Sequence, residues 1–198
     1  MEKRCYPSYS DVETLIRRSA ADIENNFSPD CIVAVGSGGV VPATILKELL
    51  EVPIYFVSVK SSCTGDDHQV QESREIVQWV EKNTLEKYKR VLFVDDMIDT
   101  GATLIRCVLE LNLTKTYNIF SNNETAAFVL YKKREATDIN TMFDYIKVAC
   151  PADVPTEVHV VFPWEREQIV ANNNHYYFDI VWRSSVSLYK FIFKDSGV

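Results

Sequence analysis

No apolar run in this chain approaches the ~18 residues that a membrane-crossing helix needs. The opening MEKRCYPSYS has no apolar core of the kind a secretory leader carries. Both absences point to a soluble, cytoplasmic protein with no membrane partner. Basic charge is also short. Twenty-one Lys and Arg stand against 28 Asp and Glu, a net of -7, which argues against a sequence-blind nucleic-acid binder. Five cysteines, at 5, 31, 63, 107 and 150, include no C-x-x-C pair. Cys31 and Cys107 lie inside apolar patterns, where a thiol behaves as a small hydrophobe, so reduced thiols are expected. Three scattered histidines, His68, His159 and His175, give no metal-ligand spacing. There is no internal repeat, low-complexity tract or Pro/Gly linker. One domain with an appendage is the expectation for 198 residues.

What is present alternates. Ser10 to Glu13 has the pattern of a capping box, and Val12, Leu15, Ile16, Ala20, Ile23 and Phe27 follow at helical spacing. Cys31 to Val35 reads as a buried strand, Gly36 to Gly39 as a loop, and Val40 to Leu50 as a helix with Pro42 in its first turn. A second strand is predicted over Val52–Val59, and a polar loop over Lys60–Val70. Gln71–Tyr88 carries a weak helical pattern through Ile76, Val77 and Val80. A third strand spans Arg90–Asp95, a helix Ala102–Leu113, and a fourth strand Thr125–Tyr131. Shorter strands are predicted at Tyr145–Ala149 and Glu157–Phe162. Strands that read as continuous apolar runs between helices belong to a mainly parallel sheet covered on both faces, an α/β fold. Val170–Val198 holds seven aromatics and should pack on the core, on a flanking subdomain or on another subunit.

The chemistry concentrates in RVLFVDDMIDTGATL, residues 90 to 104. Ligands of open parallel sheets bind beyond the carboxyl ends of the strands, and Asp95, Asp96 and Asp99 fall there. Asp99, Thr100, Gly101, Ala102 and Thr103 lead into a helix N-terminus, whose free amides and dipole make an anion site. Carboxylates repel phosphate. The pairing makes sense when the acids face another part of the same ligand: sugar hydroxyls, a metal ion or a developing cation. A strand ending in a solvated acidic turn explains one acid, not three with a glycine and two threonines.

VLFVDDMIDTGAT resembles the phosphoribosyl-pyrophosphate motif of the type I phosphoribosyltransferases. Val35 to Ala43 is similar to the first-strand loop of their purine members. Val129 to Lys133 resembles their lysine-bearing strand. Val160 to Glu165 resembles the P-W-[DE] ending of the xanthine-guanine and fungal hypoxanthine-guanine branches. The resemblance runs from about residue 10 to about residue 165. It implies a phosphoribosyltransferase domain with a small hood over 1–165 and an extension over 166–198. The implied activity is purine salvage: a 6-oxopurine and phosphoribosyl pyrophosphate give the nucleoside monophosphate and pyrophosphate.

Site roles follow from the same resemblance. Asp95 and Asp96 would meet the ribose hydroxyls and a magnesium shell. Asp99 would serve the purine N7 as catalytic acid-base group, or else simply cap the next helix. Asp99 to Thr103 would hold the 5′-phosphate. Gly36, Ser37, Gly38 and Gly39 would bind pyrophosphate, although many relatives carry Arg or Lys where Ser37 stands. Lys133 would read the purine O6. His159 would stack on the base or keep an ordinary surface or core role, and Val160 would offer backbone groups. Val161 stands where the xanthine-guanine branch has a carboxylate. Trp164 and Glu165 would close the hood. Ser61, Ser62 and Cys63 would open a flexible lid, with cysteine where tyrosine is frequent. Relatives are commonly dimers or tetramers, so a homo-oligomer is expected. The alternative is a regulator or binding protein of the same fold with little turnover, which predicts a basic nucleic-acid face that the sequence does not display.

Overall fold

The computed structural model describes residues 3–64, 71–81, 84–114 and 123–165. The predicted extension at 166–198 and the loop tip at 65–70 lie outside the described residues. Eight strands and three α-helices are described: β1 (Lys3–Cys5), α1 (Tyr9–Asn26), β2 (Cys31–Gly36), α2 (Val40–Leu50), β3 (Ile54–Thr64), β4 (Gln71–Gln78), β5 (Arg90–Ile98), α3 (Ala102–Thr114), β6 (Glu124–Lys132), β7 (Tyr145–Val148) and β8 (Val158–Val160).

A six-stranded sheet has the order β4-β3-β2-β5-β6-β7. Every pairing is parallel except β3 with β4. The central strands are sealed on both faces, which is why they read as unbroken apolar runs. On one face Ile32, Ala34, Leu92, Val94 and Phe128 pack with Val12 and Ile16 of α1 and Leu46 of α2. On the other, Val33, Phe93, Ala127 and Val129 pack with Leu104, Cys107, Val108 and Leu111 of α3. A separate two-stranded parallel sheet joins β1 to β8 and forms the hood. Cys5, Cys31, Cys107 and Cys150 are buried free thiols. Among the described residues, no helix is long and apolar enough to cross a membrane.

Four sequence expectations change. The helix cap is Ser8 rather than Ser10: the Asp11 amide donates to Ser8 Oγ at 3.1 Å, and the Ser8 amide donates to Asp11 Oδ2 at 2.8 Å. Glu13 instead accepts from Arg17 Nε one turn on, at 2.8 Å. Gln71–Gln78 is a strand, not a helix, because β3 offers an antiparallel ladder from Ser58↔Gln78 to Thr64↔Gln71. For the same reason residues 60–64, expected as the start of a loop, lie inside β3. Finally, β5 continues through Asp95 and Asp96 to Ile98, its register held by β6 at Asp95↔Val129 and Ile98↔Lys132.

Candidate active site

The tips of β2 and β5 meet at an acid pair under a glycine loop. Asp95 is inside the sheet and 9% exposed. Its Oδ1 accepts the Asp96 amide at 2.9 Å. Burial, then the charge of Asp96, pushes the Asp95 carboxyl well above the usual carboxylate range. Asp96 is raised to about 6, first by burial and then by repulsion from Glu165. Both acids therefore hold their protons to higher pH than a solvated carboxyl does. Among the described residues no three His, Cys, Asp or Glu side chains are grouped to hold a metal. That donor set suits magnesium, which binds one or two carboxylates and takes its remaining oxygens from water and substrate phosphates.

The loop Gly36 to Gly39 lies directly on this pair. A methyl group at Gly38 would overlap the Asp96 carboxylate, and one at Gly39 would overlap the Val94 carbonyl. Only glycine permits that approach. The Gly36–Ser37 peptide is cis, and Ser37 is exposed. Gly39 precedes α2 without a side-chain cap; its own amide donates to the Val35 carbonyl at 2.8 Å and the Val40 amide to the Ser37 carbonyl at 3.3 Å, a tight backbone turn that leads directly into the helix N-terminus.

Beyond Ile98 the chain turns through Asp99 and Thr100, both exposed. Gly101 has φ +83°, and a Cβ there would meet Ile139 Cγ2 at 2.7 Å. The turn is thus built for glycine, and α3 starts at the next residue. Thr100 Oγ1 accepts the Ala102 amide at 3.4 Å. Thr103 Oγ1 accepts Arg74 Nε at 3.3 Å. Sequence reasoning missed Arg74. The misread β4 carries it to the phosphate-type turn, where it adds a guanidinium that Ser37 does not supply.

Lys133 follows β6, and its amide donates to the Ile98 carbonyl at 2.8 Å, which brings it beside Asp99. It is 7% exposed. Its Nζ donates to the Thr156 carbonyl at 3.0 Å and to the Val158 carbonyl. The ammonium therefore sits at the edge of β8. On that strand Val158 and Val160 are buried and His159 is exposed. The Val161 amide donates to the Cys5 carbonyl at 2.8 Å. In a parallel ladder this sets the amide and carbonyl of Val160 toward the opposite edge, the one that Lys133 occupies.

Trp164 stacks on Phe162 with centroids 4.9 Å apart, and Phe162 packs on Tyr131 of β6 at 5.8 Å. Glu165 Oε2 accepts the Phe162 amide at 2.9 Å. Both residues thus pack against or bond to Phe162 within the turn that follows β8. The structure thus gathers Asp95, Asp96, the glycine loop, the Asp99–Thr103 turn, Lys133 and β8 at one end of the sheet. The backbone of Ser61, Ser62 and Cys63 pairs with β4. The covering part of the predicted lid lies outside the described residues.

An acid pair at a parallel-strand tip, lying between a glycine loop and a glycine-bearing turn that opens a helix, is the site that this α/β fold presents. Residues 8–151 match the phosphoribosyl transferase domain family, and the chain belongs to it. Its relatives include the hypoxanthine-guanine phosphoribosyltransferase of Schizosaccharomyces pombe, 28% identical over 196 residues, with 87% of this chain and 94% of the relative covered. Xanthine phosphoribosyltransferase 1 of Saccharomyces cerevisiae is 28% identical over 193 residues, covering 84% of this chain and 92% of its own. Among solved structures, a hypothetical protein from Neisseria gonorrhoeae with bound ppGpp superposes with a TM-score of 0.70 at 28% identity, covering 85% and 93% of the two chains.

Proposed function

We propose that this chain is a magnesium-dependent purine salvage phosphoribosyltransferase. It converts a 6-oxopurine (hypoxanthine, guanine or xanthine) and phosphoribosyl pyrophosphate to the nucleoside monophosphate and pyrophosphate. The observation that carries the base assignment is Lys133: a buried ammonium, held by neutral carbonyls beside the Val160 backbone. A cation there attracts a ring oxygen and repels a ring amino group's hydrogens. The curated relatives bear hypoxanthine-guanine and xanthine names. The ppGpp of the Neisseria relative likewise joins a 6-oxopurine to diphosphate groups. None of this favours the regulator alternative.

In this reading the residues divide the work. The Asp99–Thr103 turn and Arg74 hold the 5′-phosphate. Gly36 to Gly39 hold pyrophosphate through backbone amides. Asp95 and Asp96 hold the ribose hydroxyls and would hold the magnesium shell, which would supply positive charge against the pyrophosphate leaving group. Asp99 accepts or holds the proton at purine N7. Lys133 and Val160 fix the base edge, with His159 as a stacking face. Positioning and electrostatics then lower the barrier to an oxocarbenium-like transition state. The lid beginning at Ser61, Ser62 and Cys63 excludes water.

The protein acts in the cytoplasm as a homo-oligomer, a dimer or tetramer. Exposed Phe56, Val77, Leu109 and Leu113 supply apolar surface for assembly, and light scattering at working concentration reads the state. The function itself is tested by incubating the chain with phosphoribosyl pyrophosphate, magnesium and each base, and identifying products by mass. Nucleoside monophosphate with equimolar pyrophosphate is expected from at least one oxopurine. Folded protein that yields none from any base contradicts the proposal.

A further inference from the structure

The strand beside the base site is held from two sides. On one edge of β8, the Val158 carbonyl and its neighbour Thr156 accept Lys133 Nζ. On the other edge lies β1, the first three described residues, in the register Lys3↔Val158, Arg4↔His159 and Cys5↔Val160. The Val161 amide donates to the Cys5 carbonyl. In a parallel ladder this fixes the remaining partners. By that alternation the amides and carbonyls of Lys3 and Cys5 face β8, and the register Lys3↔Val158 directs the Lys3 amide toward the Glu157 carbonyl. Cys5 is buried in the core at 6% exposure, so it anchors the far end. Among the described residues the hood sheet has two strands, and β1 is the ladder partner of β8. Three residues of β8 bound on one side only would be free to shift by more than a hydrogen bond tolerates.

We propose that β1 is a positioning element for base recognition: its ladder sets the edge of β8, and so the Val160 backbone, at the distance from Lys133 that a purine requires. This rests on the base-binding reading of Lys133 and Val160. The elements that hold the sugar and phosphates in this reading come from β2, β4, β5, α2 and α3, whereas the strand that β1 pairs with is β8. Disturbing β1 therefore affects the base and spares phosphoribosyl pyrophosphate.

The test compares Lys3→Pro with Lys3→Ala in the full chain. Proline at a strand's first residue removes the Lys3 amide from the ladder and fits the strand conformation. Alanine keeps the amide and loses only the exposed Lys3–Glu157 ion pair, 3.6 Å long. Lys3→Pro is expected to raise KM for the base roughly fivefold, the value of one backbone hydrogen bond, with KM for phosphoribosyl pyrophosphate unchanged. Lys3→Ala should match the parent chain in both. Equal shifts in the two constants, no shift in either, or the same base effect from Lys3→Ala would overturn the inference. A parent chain that turns over no oxopurine contradicts the function itself and removes the inference with it. Should Lys3→Pro fail to fold, Glu157→Pro serves as a second variant. Glu157 is exposed and does not donate its amide to β1, so its base KM should stay within twofold of the parent; a rise as large as that predicted for Lys3→Pro would overturn the ladder argument.

Discussion

Asp96 is asked to be charged where charge is costly. Burial and the neighbouring Glu165 raise its carboxyl from 3.8 to about 6, so the folded chain binds that proton more tightly than the unfolded chain does. Its contribution to stability is full below pH 3.8 and is lost as pH rises through about 6. Asp96→Asn removes the cost. At pH 7.5 in chelator it should raise the melting temperature by about 2–4 °C, the change that ~1 kcal/mol makes in a chain of this size, while turnover with magnesium collapses. An unchanged or lower melting temperature contradicts this account of the acid pair. Asp99 is the opposite case. It is exposed, so Asp99→Asn should melt like the parent, yet lose about 10²–10⁴ in kcat. Near-normal kcat would take Asp99 out of the chemistry. Sequence spacing placed the Asp95, Asp96 and Asp99 cluster because those residues are contiguous. Arg74 was invisible for the converse reason: it meets Thr103 across 29 positions, and only the β3–β4 arm brings them together.

The elements that bury continuous apolar runs were legible. The helix over Val40–Leu50 has the predicted bounds, and β2, β5 and β6 follow their apolar cores. The misreadings share a cause. QESREIVQ does not alternate, and its adjacent Ile76 and Val77 imitate a weak helical pattern, with Glu75 and Val77 exposed; its ladder with β3 decides its state. The three residues of β1 are too few to carry a period, and their partner lies about 150 positions away by the hood register. Likewise Asp95 and Asp96 looked like a strand end because acids rarely enter a buried sheet. They do so here because the glycine loop lies over them. That loop gives an element-scale prediction. Gly38→Ala puts a methyl into the Asp96 carboxylate. Overpacking of this kind costs ~1–3 kcal/mol, so KM for phosphoribosyl pyrophosphate should rise roughly five- to hundredfold. An unchanged KM would show that the loop does not work against the acid pair.

At the scale of the whole molecule, a doubly covered parallel sheet provides a rigid platform, and its strand tips all point the reactive groups to one end. The hood returns to that end through an aromatic stack, Tyr131, Phe162 and Trp164, and is closed by the N-terminal strand. Sugar-phosphate grip and base recognition thus come from different parts of the chain and meet at Asp99 and Lys133. The claim that joins them is that the buried ammonium selects an oxygen at purine C6. Its most direct test is the ratio of kcat/KM for hypoxanthine to that for adenine, with phosphoribosyl pyrophosphate and magnesium saturating. The account predicts a preference for hypoxanthine of about 10²-fold or more, since a site built to bond one group leaves its polar atoms unpaired against the other. Adenine used as well as hypoxanthine would contradict it.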